Sequence, residues 1–397
     1  MSNILDEVTI ARKRKRRRYH LRRLVAVLTL IAVVVPAVIL IDQVDIYTFR
    51  SLKDFFNIVF APDKGYPAML NSSKPLQAHE LKGATAVLTT SELILKADRG
   101  AELFRHTHGY TNPLIDTGKT RMILYDSGNR SYSIYNRSGE LYSAESEYPL
   151  VSAAMASNGT VAILTRGERS LSQLEILSNK DYLTSFTWYG VSGFPLYCSF
   201  SNDSKEVYAV TVSVAEDKIS SIITFIEMDK RVETATVRLN GIILKVFEDR
   251  AGYTAVTDSG VFLIDKDYIV SARYMTPRTP IIGIAKTDGY LALAFGDNRR
   301  TDVNSIVILN SSLEKITQLE NVGAIDSIYM TPDYLWLLSS GKVYGISPSG
   351  EYRLSCDTML RSIDLFTVRN KLFILLHDRI EPLEPTVIKE DLEKREE

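Results

Sequence analysis

The chain has 397 residues, 45% of them hydrophobic and 24% charged, with a net charge of −1. That composition excludes a disordered, collagen-like or low-complexity protein. Its two cysteines, Cys198 and Cys356, exclude a disulfide-stapled scaffold, and their spacing alone leaves pairing open.

The first feature is a cationic block, RKRKRRRYHLRR, beginning at Arg12 and holding nine Lys/Arg. It runs into an uncharged apolar stretch that starts at Leu24 and ends at Ile41. A helix of 18 residues covers roughly 27 Å, close to a bilayer's hydrocarbon thickness. Pro36 is tolerated in such a span. The positive-inside rule predicts residues 1–23 as a cytoplasmic arm, 24–41 as a transmembrane signal anchor, and the rest outside the cell membrane. The following VILIDQVDIY has no small-residue cleavage site and no lipidated cysteine. The basic arm is also suited to anionic lipid headgroups. Residues 1–41 carry nine positive and two negative charges, so the remaining 356 are net −8. A mildly acidic outer portion argues against nucleic acid as a partner.

Residues 42–65 read as a juxtamembrane stalk. Phe49, Leu52, Phe55, Phe56, Val59 and Phe60 make a helical stripe, ended by Pro62 and Gly65. Such a helix can pack on its own domain, lie in the headgroup layer, or meet a partner's helix. Residues 71–77, NSSKPLQ, read as a short linker.

From residue 66 to residue 385 one unit recurs: apolar strand, tight turn, apolar strand, turn, and a more polar strand. Copies include TRMILYDSGNRSYSIYN from Thr120, GYTAVTDSGVFLID from Gly252 and YLWLLSSGKVYGIS from Tyr334. Eight copies recur with a period of about 41 residues. Turns such as Asp126-Ser127-Gly128 and Asp258-Ser259-Gly260 supply hairpin glycines. A further strand precedes most hairpins, for example FPLYCSF from Phe194, giving four strands per unit. The predicted fold is all-β, a β-propeller of four-stranded blades, eight favoured and seven the alternative. Two β-sandwiches are the competing architecture. The last unit, from Arg361, lacks a clear fourth strand, which the N-terminal segment is expected to supply. The first unit has a poor innermost strand. Residues 386–397 read as a charged, solvated tail.

RKRKRRR, the apolar run and these repeats together resemble the uncharacterised single-span extracytoplasmic β-propeller proteins of Gram-positive bacteria. The propeller is similar to eight-bladed quinoprotein-like and WD40-like envelope propellers. The resemblance implies no activity, cofactor or site residue, and the chain lacks the WD dipeptide and the regular Trp motifs, having only Trp188 and Trp336.

No nucleophile elbow, P-loop, zinc-protease motif or EF-hand loop occurs, so no catalytic, cofactor-binding or metal residues are assigned. His106 and His108 form an H-x-H; on a strand both rings would face one side and could share a metal, and surface histidines at a strand end are the alternative reading. The charged loop carrying Asp297, Asn298, Arg299, Arg300 and Asp302 is the other candidate ligand or partner surface. The expectation is a non-enzymatic, membrane-anchored interaction module for an envelope protein or wall polymer. A glycan-acting enzyme with its site in the propeller funnel, and a sensor signalling through a partner, are the alternatives. The enzyme reading predicts acidic or histidine side chains converging in the central channel.

Overall fold

The computed structural model describes residues 46–388, apart from 169, 192, 216–217, 298–299 and 360–361. The cationic block and apolar run lie outside the described residues. Among those described, no helix is long and apolar enough to cross a membrane.

The chain divides into residues 1–56 and 57–397. Helix α1, Ile46–Val59, carries the phenylalanine stripe and spans the division. In the first unit, Phe55 and Phe56 meet edge to face at 5.9 Å.

The second unit folds into eight sheets among the described residues, each a blade. Blade 1 is formed by Pro75–Leu81, Ala84–Thr89, Glu92–Ala97 and Glu102–Thr107, in that order outward. Blades 2 to 6 repeat this antiparallel order, and their first strands begin at Pro113, Leu150, Phe194, Ile243 and Ile281. Blade 7 begins at Ser327 and blade 8 at Asp364.

The physical reason for the ring is where the apolar side chains go. Second strands are buried on both faces, as in Ala84–Thr89, whereas fourth strands such as Val270–Met275 alternate toward solvent. A sheet with two apolar faces needs a neighbour on each side, and a closed ring supplies both. An apolar cluster accordingly fills every gap between blades. Tyr208 and Phe225 of blade 4, for example, pack on Tyr253 and Phe262 of blade 5. At the ring seam, Val87 and Ile94 of blade 1 pack on Phe366 and Phe373 of blade 8.

The N-terminal segment completes the last blade, as the sequence predicts. Ala68–Met69 pairs antiparallel with Arg379–Pro382, and the Leu70 amide donates to the Asp378 carbonyl at 2.7 Å. Arg105 of blade 1 donates to the Leu70 carbonyl at 2.6 Å and to Glu92 at 2.8 Å, which fastens the closing strand to the first blade. Thr386–Val387, assigned by sequence to the tail, instead adds a fifth strand to the outer edge of blade 7.

Residues 75–77, read as linker, belong to the innermost strand of blade 1. That strand looked poor because it carries Gln77 and His79. Five of the innermost strands, in blades 1, 3, 4, 5 and 6, bear a bulge at the same place, skipping Leu76, Val151, Leu196, Leu244 and Ile282. The bulges set Gln77, Ser152, Tyr197, Lys245 and Gly283 in common register around the channel. Cys198 lies in the first strand of blade 4 and Cys356 in the fourth strand of blade 7, and both are free thiols.

Candidate binding face and channel

In a four-stranded antiparallel blade, the turn joining strands one and two and the turn joining three and four share one rim. Three clefts open on that rim.

Between blades 4 and 5 a cleft of about 500 Å³ is lined by Glu206, Glu227, Glu248 and Asp249 with Tyr253 and Tyr268. Glu206, at the start of a strand, accepts the Tyr253 hydroxyl at 2.9 Å and the Tyr268 hydroxyl on its other oxygen. Burial, reinforced by hydrogen bonding and the charge of Glu206, pushes the Tyr268 hydroxyl up to about 12 and that of Tyr253 higher still. Glu248 accepts the Asn202 amide. Its carboxyl is raised above the usual range by burial, and the negative charges of Asp203, Glu206 and Asp249 add to the shift.

A second cleft, about 330 Å³, lies between blades 5 and 6 and shares Asp249 and Tyr253. Asp249 pairs with Lys286 of blade 6 and accepts Thr254 Oγ1 at 2.5 Å. Phe247 lies under two cations, with Lys245 Nζ 5.2 Å and Lys286 Nζ 5.9 Å from its ring centre. A third, of about 930 Å³, runs between blades 7 and 8.

Residues 57–58, the last turn of α1 within the propeller unit, sit on the same rim beside blades 1 and 2. Asn57 Nδ2 donates to Ser138 Oγ at 3.0 Å, and Ile58 packs on the cluster holding Leu81 and Met122. Gly83 is required there: its φ is +86°, and a Cβ would stand 3.0 Å from Ile58 Cγ2.

The innermost strands bring titratable groups together along the channel. Burial lowers the His79 imidazole to about 4, with Lys245 adding to the effect. Burial raises the Asp116 carboxyl to about 6, against the hydrogen bond from the Met155 amide (2.7 Å) and the attraction of Lys245. Asp364, which accepts Ser327 Oγ at 2.8 Å, is also raised by burial. Lys245, on blade 5, thus acts on groups of blades 1, 2 and 8, which it can reach only across the channel. His79, Asp116 and Asp364 are half-buried and Lys245 is exposed, as expected for the wall of a wet channel.

The residues singled out by sequence are scattered. His106 is the penultimate residue of the outermost strand of blade 1, with its ring 5.3 Å from Tyr135 and its Nε2 4.0 Å from Glu140. His108 lies beyond the strand and is buried, its Nε2 hydrogen-bonded to the Thr89 carbonyl at 3.2 Å and its Nδ1 accepting the Tyr110 amide at 3.4 Å. Both nitrogens of His108 are occupied, so the H-x-H does not form a shared metal site. No cluster of metal-binding side chains occurs among the described residues.

Asp297, Arg300 and Asp302 lie at the tip of the long hairpin of blade 6, on the rim opposite the clefts, and Asn298 and Arg299 fall outside the described residues. Phe49, Leu52, Phe55, Phe56 and Val59 are in α1 and Phe60 just follows it. Phe60 is 75% exposed. Sequence reasoning missed His79, Asp116, Lys245, Asp364 and the Glu206 clamp; the one available signal was polar residues in strands otherwise read as core.

The chain belongs to a family of unknown function, DUF5711, whose model matches residues 70–384. Among curated proteins none matches the sequence. Solved structures that it is similar to include Moraxella catarrhalis BamB, at 10% identity and a TM-score of 0.56, covering 81% of this chain and 99% of that one. Saccharomyces cerevisiae Sqt1 matches at 9% identity and a TM-score of 0.57, covering 81% and 98%. The β-propeller domain of Myceliophteria thermophila Cps50 (Swd1) matches at 10% identity and a TM-score of 0.50, covering 70% and 94%. At these identities the likeness establishes the propeller fold alone.

Proposed function

We propose that this DUF5711 protein is a non-catalytic binding module. It is tethered to the cell membrane by residues 24–41, with the propeller outside, and it holds an envelope protein or wall polymer on its clefted rim. The observation that carries this reading is the state of the carboxylates. Glu206, Glu248, Asp249, Asp116 and Asp364 each accept structural hydrogen bonds or an ion pair. A general base must reach the proton it abstracts, and these acids are already committed.

The propeller unit begins at Asn57, on the clefted rim. The basic arm contacts anionic lipid on the inner leaflet.

A photocrosslinking residue at Arg250, on the clefted rim, is expected to capture one discrete envelope component in cells. The same label at Arg130, in the turn between the second and third strands of blade 2 and so on the opposite rim, serves as the background. Equal yields at both sites, or turnover of envelope glycan by the purified full chain, would defeat the reading. A reporter placed after Glu397 is expected to be active only outside the cell. The glycan-enzyme alternative draws on His79, Asp116 and Asp364 in the channel. It requires loss of glycan turnover on Asp116→Asn.

A further inference from the structure

We propose that the groove between blades 7 and 8 is a binding site for an uncharged glycan. This deepens the binding-module reading and rests on it. The groove, about 930 Å³, is large enough for a few sugar rings. Aromatic side chains line it: Tyr329, Tyr334 and Trp336, the last two with ring centres 5.4 Å apart. Sugars present C–H faces to aromatic rings and hydroxyls to polar groups, so a site for them needs both.

The polar groups are present and unspent. Asp333, Asn370 and Lys371 line the groove, and their side chains make no hydrogen bond or ion pair with the described residues. The Tyr334 hydroxyl likewise has none. A free carboxylate, amide and ammonium offer acceptors and donors to a polyhydroxylated ligand. Of the four charged side chains that line the groove, Lys286 is paired with Asp249, which leaves Lys371 against Asp333 and Glu384, a small negative excess. A lining so weakly charged favours an uncharged sugar over an anionic wall polymer or a strongly cationic peptide.

The aromatic floor is pre-set. The Tyr329 hydroxyl bonds Thr367 across the blade gap at 2.9 Å, tying the two walls together. Trp336 Nε1 donates to Thr331 Oγ1 at 3.2 Å, and the same Thr331 hydroxyl donates to the Tyr334 carbonyl at 3.0 Å. That turn holds Tyr334 at the groove edge. A site held rigid before binding loses less entropy when the ligand arrives.

The test uses the purified full chain in detergent, with chitotetraose and maltotetraose as probes. Trp188→Phe leaves Trp336 as the sole tryptophan, so its emission reports on the groove. One of the two probes is expected to change that emission saturably. Tyr334→Ala and Asn370→Ala are each expected to weaken its binding about tenfold. Unchanged emission and no calorimetric heat with both probes at millimolar concentration overturn the proposal. So does binding that survives both substitutions, or binding of a proline-rich peptide in place of sugar that both substitutions abolish. Failure with sugars alongside successful capture at Arg250 sinks this inference alone; absence of that capture sinks the broader reading.

Discussion

The cleft between blades 4 and 5 and the groove between blades 7 and 8 open on the same rim and differ in what their polar atoms do. In the cleft, Glu206 is clamped by two tyrosines and Glu248 is held by a backbone amide. In the groove, Asp333 and Asn370 are exposed and have no hydrogen-bond or ion-pair partner among the described residues. A committed carboxylate belongs to the architecture, because its removal leaves buried donors unpaired. An uncommitted one costs the fold little and is available to a ligand. Both places set charged side chains on the same rim, and the hydrogen-bond inventory separates them.

The strongest way to break the comparison is Glu206→Ala. It strands the hydroxyls of Tyr253 and Tyr268, and Tyr253 is only 6% exposed. The expected loss is about 2–3 kcal/mol of stability, measured as a lower thermal midpoint and urea midpoint. Adding Tyr253→Phe and Tyr268→Phe is expected to recover part of it, since removing both sides of a buried bond costs less than removing one. A single Glu206→Ala variant as stable as the parent would make this cleft as uncommitted as the groove.

The ring was legible in the sequence for a reason that hid the sites. Second and third strands are apolar on both faces, so eight copies stand out at a steady interval. The innermost strands break that pattern wherever a residue meets the channel, which is why the strand with Gln77 and His79 read as linker up to Gln77 and as a poor strand beyond it. The Glu206 clamp joins residues 47 and 62 positions apart, and no local motif records such a pairing. His106 and His108 show the opposite failure. Their spacing is right for one strand face, but the strand ends at Thr107 and His108 turns inward to the Thr89 carbonyl. The hairpin loop at Asp297 was legible as a charged turn. Its place on the rim away from the clefts depends on blade order, which only the closed ring supplies.

The channel extends the comparison to groups that titrate. His79 and Asp116 lie on the innermost strands of adjacent blades and shift in opposite senses. The folded value of His79 is depressed to about 4. As pH falls from its ordinary 6.5 toward 4, the unfolded chain takes up a proton that the folded state refuses, and stability is lost. The folded value of Asp116 is raised to about 6. As pH falls from 6 toward its ordinary 3.8, the folded state takes up the proton first, and stability is gained. The two windows overlap, so the effects oppose in the parent protein. Against the parent curve of thermal midpoint with pH, His79→Gln is expected to gain stability below pH 6, relative to its value at neutrality. Asp116→Asn is expected to lose it over the same range. Deviations of the same sign in both variants would mean that the channel groups are not held in these opposed states.

The smallest expected effect sharpens the comparison most. Asp333 sits in an exposed turn and Asn370 in the turn between the first two strands of blade 8, with φ of +62°. Asparagine accepts the left-handed conformation better than alanine does, so Asn370→Ala carries a modest backbone cost of its own. Asn370→Gly keeps that conformation while deleting the amide, and with Asp333→Ala it isolates the side-chain contribution. Both are expected to fall within about 0.5 kcal/mol of the parent in unfolding measurements, as for surface positions without partners. If either instead cost as much as Glu206→Ala, the groove's polar groups would be holding blades 7 and 8 together. A stability-neutral pair that nonetheless changes what the groove holds is the signature of a ligand surface.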